Sequence, residues 1–270
     1  MGLGGASRGA PVRVGIIGYG LVGRGLAQKI ADHDAFASAF VYARSAEVLA
    51  EVAPELRAEF LDDALFATAD LVVEAAHPVI SERFGVRILR HADYLPLSTS
   101  GLVDGALYDR LTAAAAKHGH RLLLPHGALV GLESLIAGRD CWREVTITFV
   151  KNPIHLDAAD GSALPTDRET VVYDGPVRGI ARLLPRNVNS MVTLALATIG
   201  LDTCRARLVA RPGVERATLE IDAVGADGSR ITVHKEQPMA GVSGSEMVDS
   251  TWQSVLVAAG VAERGGALFV

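Results

Sequence analysis

The 270-residue sequence predicts an α/β protein, a doubly wound parallel sheet followed by a smaller α+β domain with a mixed sheet. Three observations carry the prediction. Between residues 12 and 140, short apolar runs alternate with helical segments of about 10–15 residues, the pattern of parallel strands covered on both faces. The first apolar run ends in a glycine-rich turn that opens a helix. From Trp142 onward the chain alternates apolar and polar residues, the period of half-exposed strands.

The elements follow in order. Residues 1–11, MGLGGASRGAP, lack the apolar stretch of a signal peptide and read as a loose tail. A buried strand is expected at 12–17, a helix at 22–31, a second strand at 39–43 and a helix at 46–52. ADLVVEAA at 69–76 is a third strand, helical spacing returns at 79–92, and DYLPLSTS at 93–100 reads as strand then loop. The segment 104–119 starts on an acidic cap candidate, Asp104, and ends on Gly119, as helices commonly do. HRLLLPHGAL at 120–129 again reads as strand then loop, closing a domain drawn at 12–140. In the second domain, 141–250, EVTITFVKN and ETVVYDGPV are strands and NVNSMVTLALATIG is a helix ending at Gly200. CRARLVAR, ATLEIDAVG and SRITVHKEQP then read as antiparallel strands, with GADGS at 225–229 a hairpin turn. A last helix at 250–260 falls in a closing segment, 251–270.

Composition narrows the function classes. Apolar residues make up 49% and charged residues 21%, with a net charge of −5, which offers no broad attraction to nucleic acid or anionic lipid. No apolar run approaches the ~20 residues of a membrane span. Two cysteines, Cys141 and Cys204, lie far apart, so a reduced, cytoplasmic protein is expected. No HExxH or Ser/His/Asp order is visible, and no metal is expected.

The turn in VGIIGYGLVGRGLA, 14–27, follows a strand and precedes a helix, the context that a GxGxxG dinucleotide motif requires. Gly18 permits the tight turn, Gly20 lets the backbone approach a pyrophosphate, and Gly23 lets the helix pack close. Tyr19, Leu21 and Val22 complete the turn, whose free N–H groups face the phosphates. This makes the first domain Rossmann-like. The acidic residue that usually accepts the ribose hydroxyls is replaced by Ala43, followed by Arg44 and Ser45. An arginine and a hydroxyl suit a 2′-phosphate, so NADP is expected in preference to NAD, with NAD as the alternative.

Ligands of such sheets sit at the carboxyl ends of the strands. That rule places Ala76, His77 and Pro78, then Ser98 and Ser100, then His126 and Ala128, beside the cofactor. GPVRGIARLLPRNVNS, 175–190, is the densest polar stretch, and Arg178, Arg186, Asn187 and Asn189 are candidates to converge on an anionic ligand.

The chain resembles the L-aspartate dehydrogenase family, closest in its loops to some animal members. The matching pieces are VGIIGYGLVG, LVVEAAHP, ILRHADYL, HGALVGLESL, YDGPVRGIARLLPRNVNSM and GSEMVDSTWQSVL, in order over 12–257. The resemblance implies a Rossmann domain, a mixed-sheet second domain, a homodimer, and NAD(P)-dependent oxidation of L-aspartate to iminosuccinate, which hydrolyses to oxaloacetate and ammonia, or the reverse imine reduction. It carries cofactor contacts to Gly18–Gly23 of the turn, the EAAHP loop, Ala128 and Asn189, and leaves Arg178, Arg186 and Asn187 for the substrate. The histidine the family assigns to catalysis falls on Leu219, in ERATLEIDAVG. Leucine exchanges no proton, so His234 is the first replacement candidate, with His126 and His77 next; His126 itself stands where many members carry serine. The alternatives are a reductase of a different dicarboxylic or cyclic imine, and a non-catalytic NAD(P)-binding protein.

Overall fold

The computed structural model describes residues 10–162, 164–240, 243–244 and 246–261. All but Ala10 and Pro11 of the expected N-terminal tail, and residues 262–270 of the closing segment, lie outside the described residues.

Strands β1 (Val12–Ile17), β2 (Phe36–Tyr42), β3 (Arg57–Ala58), β4 (Leu71–Glu74) and β5 (Asp93–Pro96) form a five-stranded sheet in the order β3-β2-β1-β4-β5. Every pairing in it is parallel. Residues Val14–Ile17 of β1 and all of β4 are buried, which is why the two central strands read as mainly apolar runs. They carry two charges: Arg13 of β1 is exposed and paired with Asp70, whereas Glu74 of β4 is fully buried.

Helices α1 (Leu21–Ala31), α4 (Val79–Ile88) and α5 (Gly105–His118) connect or follow these strands, while α2 (Ala46–Leu49) and α3 (Asp63–Phe66) are single turns. The helix expected at 46–52 is thus the short α2. Capping sets α5 as its sequence implies. Asp104 accepts from the Ala106 and Leu107 N–H groups, and Gly119 ends the helix at φ 72°. The strand expected after α5 is reduced to one parallel bridge, Tyr94 with Leu122. Pro125 follows, and a proline cannot donate to a ladder.

The second sheet holds β6 (Trp142–Lys151), β7 (Thr170–Pro176), β8 (Arg205–Ala210), β9 (Arg216–Gly225), β10 (Arg230–Ala240) and β11 (Ser243–Gly244), in the order β11-β10-β9-β6-β8-β7. Strands β9 and β10 form the expected hairpin, with Asp227 accepting from Ser229 N–H across the turn. The segment 204–211 departs from expectation. Strand β8 runs parallel to β6, which separates it from β9. Its alternation fixes which residues face inward but not which strand it joins; the helices α7 (Val177–Leu183) and α8 (Asn189–Ala197) carry the chain across one face before it returns.

That helix-covered face is the second core. Val145, Ile147 and Phe149 of β6 and Leu219 and Ile221 of β9 pack there on Val177, Ile180, Met191 and Val192. Helix α6 (Leu132–Ala137) joins it, so this core begins at Leu129, ahead of the boundary drawn at 140. Helix α9 (Met247–Ala259) returns to the first domain, where Trp252 packs on Phe36 and His33 with ring centroids 5.1 and 5.6 Å away. Among the described residues no helix is long and apolar enough to cross a membrane.

Asp104→Ala removes the side-chain cap of α5 without touching either core. The expected cost is about 1 kcal/mol, read as a fall in Tm of about 2–4 °C for a chain of this size, with NADPH binding unchanged.

Candidate active site

The glycine turn divides its work as the motif predicts. Gly18 adopts φ 104°, a left-handed value, and a Cβ there would run into the Ala75 carbonyl. A Cβ on Gly23 would meet the Gly18 carbonyl oxygen. Gly20 differs, since a Cβ there meets nothing within 4 Å. The fold therefore needs Gly18 and Gly23, while the bare backbone of Gly20 serves whatever enters the cleft. The first N–H groups of α1 have no partner within the helix and point to the same space.

The loops at the ends of β4 and β5 are organised by Glu74. Its Oε1 accepts from the Ala76 and His77 N–H groups, each at 2.7 Å, and from Ser98 Oγ at 3.0 Å; its Oε2 accepts from Ser98 N–H at 3.1 Å. Burial pushes the carboxyl pKa up, and the four donors oppose that shift. Tyr94 is pushed up as well, first by burial and then by the charge of Glu74.

Above these loops lies a cleft of about 470 Å³, lined by Gly20, Leu21, Val22, Ala76, Pro78 and Ser98, with Asn189 and Met247 opposite. A smaller pocket of about 70 Å³ adjoins it, lined by Phe149, Lys151, Asn187, Leu219 and Gln237. Arg186, Asn189, Ser190 and Met247 line both, so one wall serves the two spaces. Asn189 also ties the domains together, since its Oδ1 accepts from Ser100 N–H and its carbonyl from Thr99 Oγ1. Ala128 N–H donates to Ser190 Oγ beside it.

The remaining candidates separate by geometry. Arg186 stands in the shared wall, held by Asp157 at 2.7 Å. The Asn187 side chain accepts from Asp157 N–H and donates to the His155 carbonyl, so it positions the loop that positions Arg186. Arg178 is turned away, paired with Asp202 at 2.6 and 2.7 Å and bonded to the Val103 carbonyl, and it lines neither space. Ser45 caps α2 and donates to Glu47, whereas Arg44 is exposed and has no hydrogen bond or ion pair among the described residues. Tyr19 lies under the Arg24 guanidinium, 5.0 Å from the ring centre. Ser100 Oγ is buried with no partner among the described residues.

The three histidines do not meet at the cleft. His77 Nδ1 accepts from Val79 N–H and starts α4. His126 lies 3.6 Å from Glu133, and neither histidine lines the two spaces although its neighbours do. His234 pairs in register with Glu220 and shares the outer sheet face with Thr146, Thr148 and Asp222. Leu219 is one residue from Glu220 and so points to the opposite, inner face.

A residue absent from the sequence-derived candidates occupies that inner face. Lys151 ends β6, is 8% exposed, and donates to the Asn187 carbonyl at 3.3 Å. Its ammonium sits 4.8 Å from the Phe149 ring centre. Burial pushes its pKa down to about 8, with Glu246 acting in the opposite sense. The signal was in the alternation itself, which puts a lysine at an inward position after Val145, Ile147 and Phe149.

Residues 135–253 match the family model described as aspartate dehydrogenase, C-terminal, and 18–125 match homoserine dehydrogenase, NAD binding domain. An aspartate dehydrogenase domain-containing protein of Xenopus tropicalis is 32% identical, covering 96% of this chain and 98% of its own. An L-aspartate dehydrogenase of Brucella anthropi is 32% identical, covering 83% of this chain and 87% of its own. The solved aspartate dehydrogenase of Thermotoga maritima superposes with a TM-score of 0.72 at 23% identity, over 96% of this chain and 99% of that one, a likeness of fold.

Two outcomes are expected here. Gly20→Val leaves Tm within about 1 °C and abolishes NADPH binding in a fluorescence titration, whereas Gly23→Ala lowers Tm because the clash is within the fold. Glu74→Gln turns an amide donor toward one of its four donors, at a cost of about 1–3 kcal/mol; chemical denaturation reads the loss, and NADPH affinity falls with it.

Proposed function

The chain belongs to the aspartate dehydrogenase family and is a Rossmann-fold NAD(P)-binding oxidoreductase, and from that premise we propose that it interconverts L-aspartate and its imine. The observation that carries this reading is Arg186 in the wall common to the dinucleotide cleft and the small pocket. A guanidinium there can pair with a substrate carboxylate while the Cα–H bond faces the cleft. Catalysis of this kind is positioning first, and the chain Asn187–Asp157–Arg186 supplies it.

The residues present fit a dinucleotide. The N–H groups that open α1 and the bare Gly20 receive the pyrophosphate, and the loops held by Glu74 line the cleft beside it. When bound, that cofactor supplies the hydride acceptor. Arg44, exposed and uncommitted among the described residues at the end of β2, favours a 2′-phosphate, so NADP is the preferred form. Ser45 contributes less than its sequence position suggests, because its hydroxyl is engaged in the cap.

A second reading rests on Leu219. An apolar side chain on the pocket wall, where the family resemblance assigns a histidine, favours reduction of a different dicarboxylic or cyclic imine.

Oxidation of NADPH by the purified protein with oxaloacetate and ammonia is the expected result; turnover of other imines alone would select the second reading, and cofactor binding without any turnover would reject both. Arg44→Ala should weaken NADPH binding about tenfold, the ~1.4 kcal/mol of one charge-assisted bond, and leave NADH within twofold. Equal loss for both cofactors would remove the NADP preference.

A further inference from the structure

The small pocket carries the chemistry that Leu219 lacks. In the β6–β9 pairing Phe149 faces Leu219, so Lys151 stands two residues along on the same inner face, diagonal to that leucine. The pocket also holds Gln237 Oε1, a buried acceptor with no partner among the described residues. An unpartnered carbonyl, an amine with one long hydrogen bond and a guanidinium at the mouth together match a ligand bearing both a protonated nitrogen and a carboxylate.

We propose that Lys151 is the catalytic acid and base for the substrate nitrogen, taking a proton from the amino acid and returning one to the imine in reverse. The inference rests on the oxidoreductase reading above. In the oxidative direction the neutral Lys151 amine removes a proton from the substrate ammonium: an N–H bond of the substrate breaks and one on Nζ forms. The lone pair left on the substrate nitrogen forms the C=N bond as the Cα hydride leaves to the nicotinamide dinucleotide. The Lys151 ammonium then loses its proton to solvent. Gln237 Oε1 accepts from a second N–H of the same substrate nitrogen and orients it.

The environment brings the neutral amine within reach near physiological pH, as the minority form that grows through pH 8. Burial lowers the Lys151 pKa to about 8 from 10.5. Of the charged groups packed around it, Glu246 raises it directly and is itself paired with Lys235, while Arg186 is paired with Asp157. Because the folded value is the lower one, the buried ammonium opposes folding below about pH 8, and that opposition fades as the pH rises from about 8 to 10.5.

The test combines spectroscopy on the cofactor-free protein with kinetics. The sequence has four lysines, Lys29, Lys117, Lys151 and Lys235, so Cε resonances of a 13C-lysine sample can be assigned by one variant, Lys151→Met. One resonance titrating near pH 8, absent from that variant, is expected; four resonances titrating above pH 10 would overturn the proposal. In kinetics Lys151→Met should lower kcat by about 10²–10⁴, remove the rise in rate through pH 8, keep NADPH affinity, and hold or raise Tm at pH 7. Lys151→Arg should not restore turnover, since a guanidinium keeps its proton; recovery would show that only a fixed charge is needed and would overturn the proposal. Wild-type turnover with Lys151→Met within twofold would overturn the proton role alone. A wild type that binds NADPH and turns over no amino or imino acid would overturn the oxidoreductase reading and this proposal with it.

Discussion

One buried carboxylate sets the geometry on which the cleft depends. Glu74 is the one buried charge in the two central strands, and it stands where the strand order of the parallel sheet reverses. A bare carboxylate at that depth would be costly, so it is retained only because four donors converge on it. Those donors belong to two different loops. Meeting at one anion, they fix the ends of β4 and β5 relative to each other, and the floor of the cleft takes its shape from that meeting.

The second domain is positioned against this floor by hydrogen bonds, alongside apolar contacts of Leu196 with the first core and Val103 with the second. Asn189 and Thr193 meet the Thr99–Ser100 turn, Ser190 meets Ala128, and Lys235 reaches both the Ala128 carbonyl and Glu246. Directional bonds define the distance between cleft and pocket more sharply than apolar packing would. The wall they build, with Arg186 and Asn189 in it, is shared by both spaces, so a ligand in one lies against a ligand in the other.

Local rules in the sequence were sufficient for the frame of the first domain, though not for β3, α3 or the loss of the strand after α5. The buried runs of β1 and β4, the division of labour among three glycines, and the Asp104 and Gly119 caps all follow from neighbours within a few residues. The second domain was legible as strands and helices but not as a sheet, because alternation does not state which strands pair; β8 joined β6 instead of β9. The candidate site suffered from the same blindness to face. His234 was attractive as an ionisable neighbour of Leu219, yet its partner Glu220 lies on the outward parity. Lys151 obeys the inward parity of β6, although a lysine at a strand end gives no local sign of burial. Arg178 and Arg186 were indistinguishable in sequence until Asp202 and Asp157, both distant, sorted them.

The return of α9 to the first domain has a consequence for how the chain acquires its structure. Trp252, Val255 and Leu256 complete the core on one side of the parallel sheet, against Leu26, Ile30 and Phe36. The nucleotide-binding unit is therefore discontinuous. Its strands are all made before residue 97, but one apolar flank stays uncovered until residues 247–259 have been synthesised. Met247 at the start of α9 also lines the cleft, so both the flank and the cleft are complete only once residues 247–259 have been made.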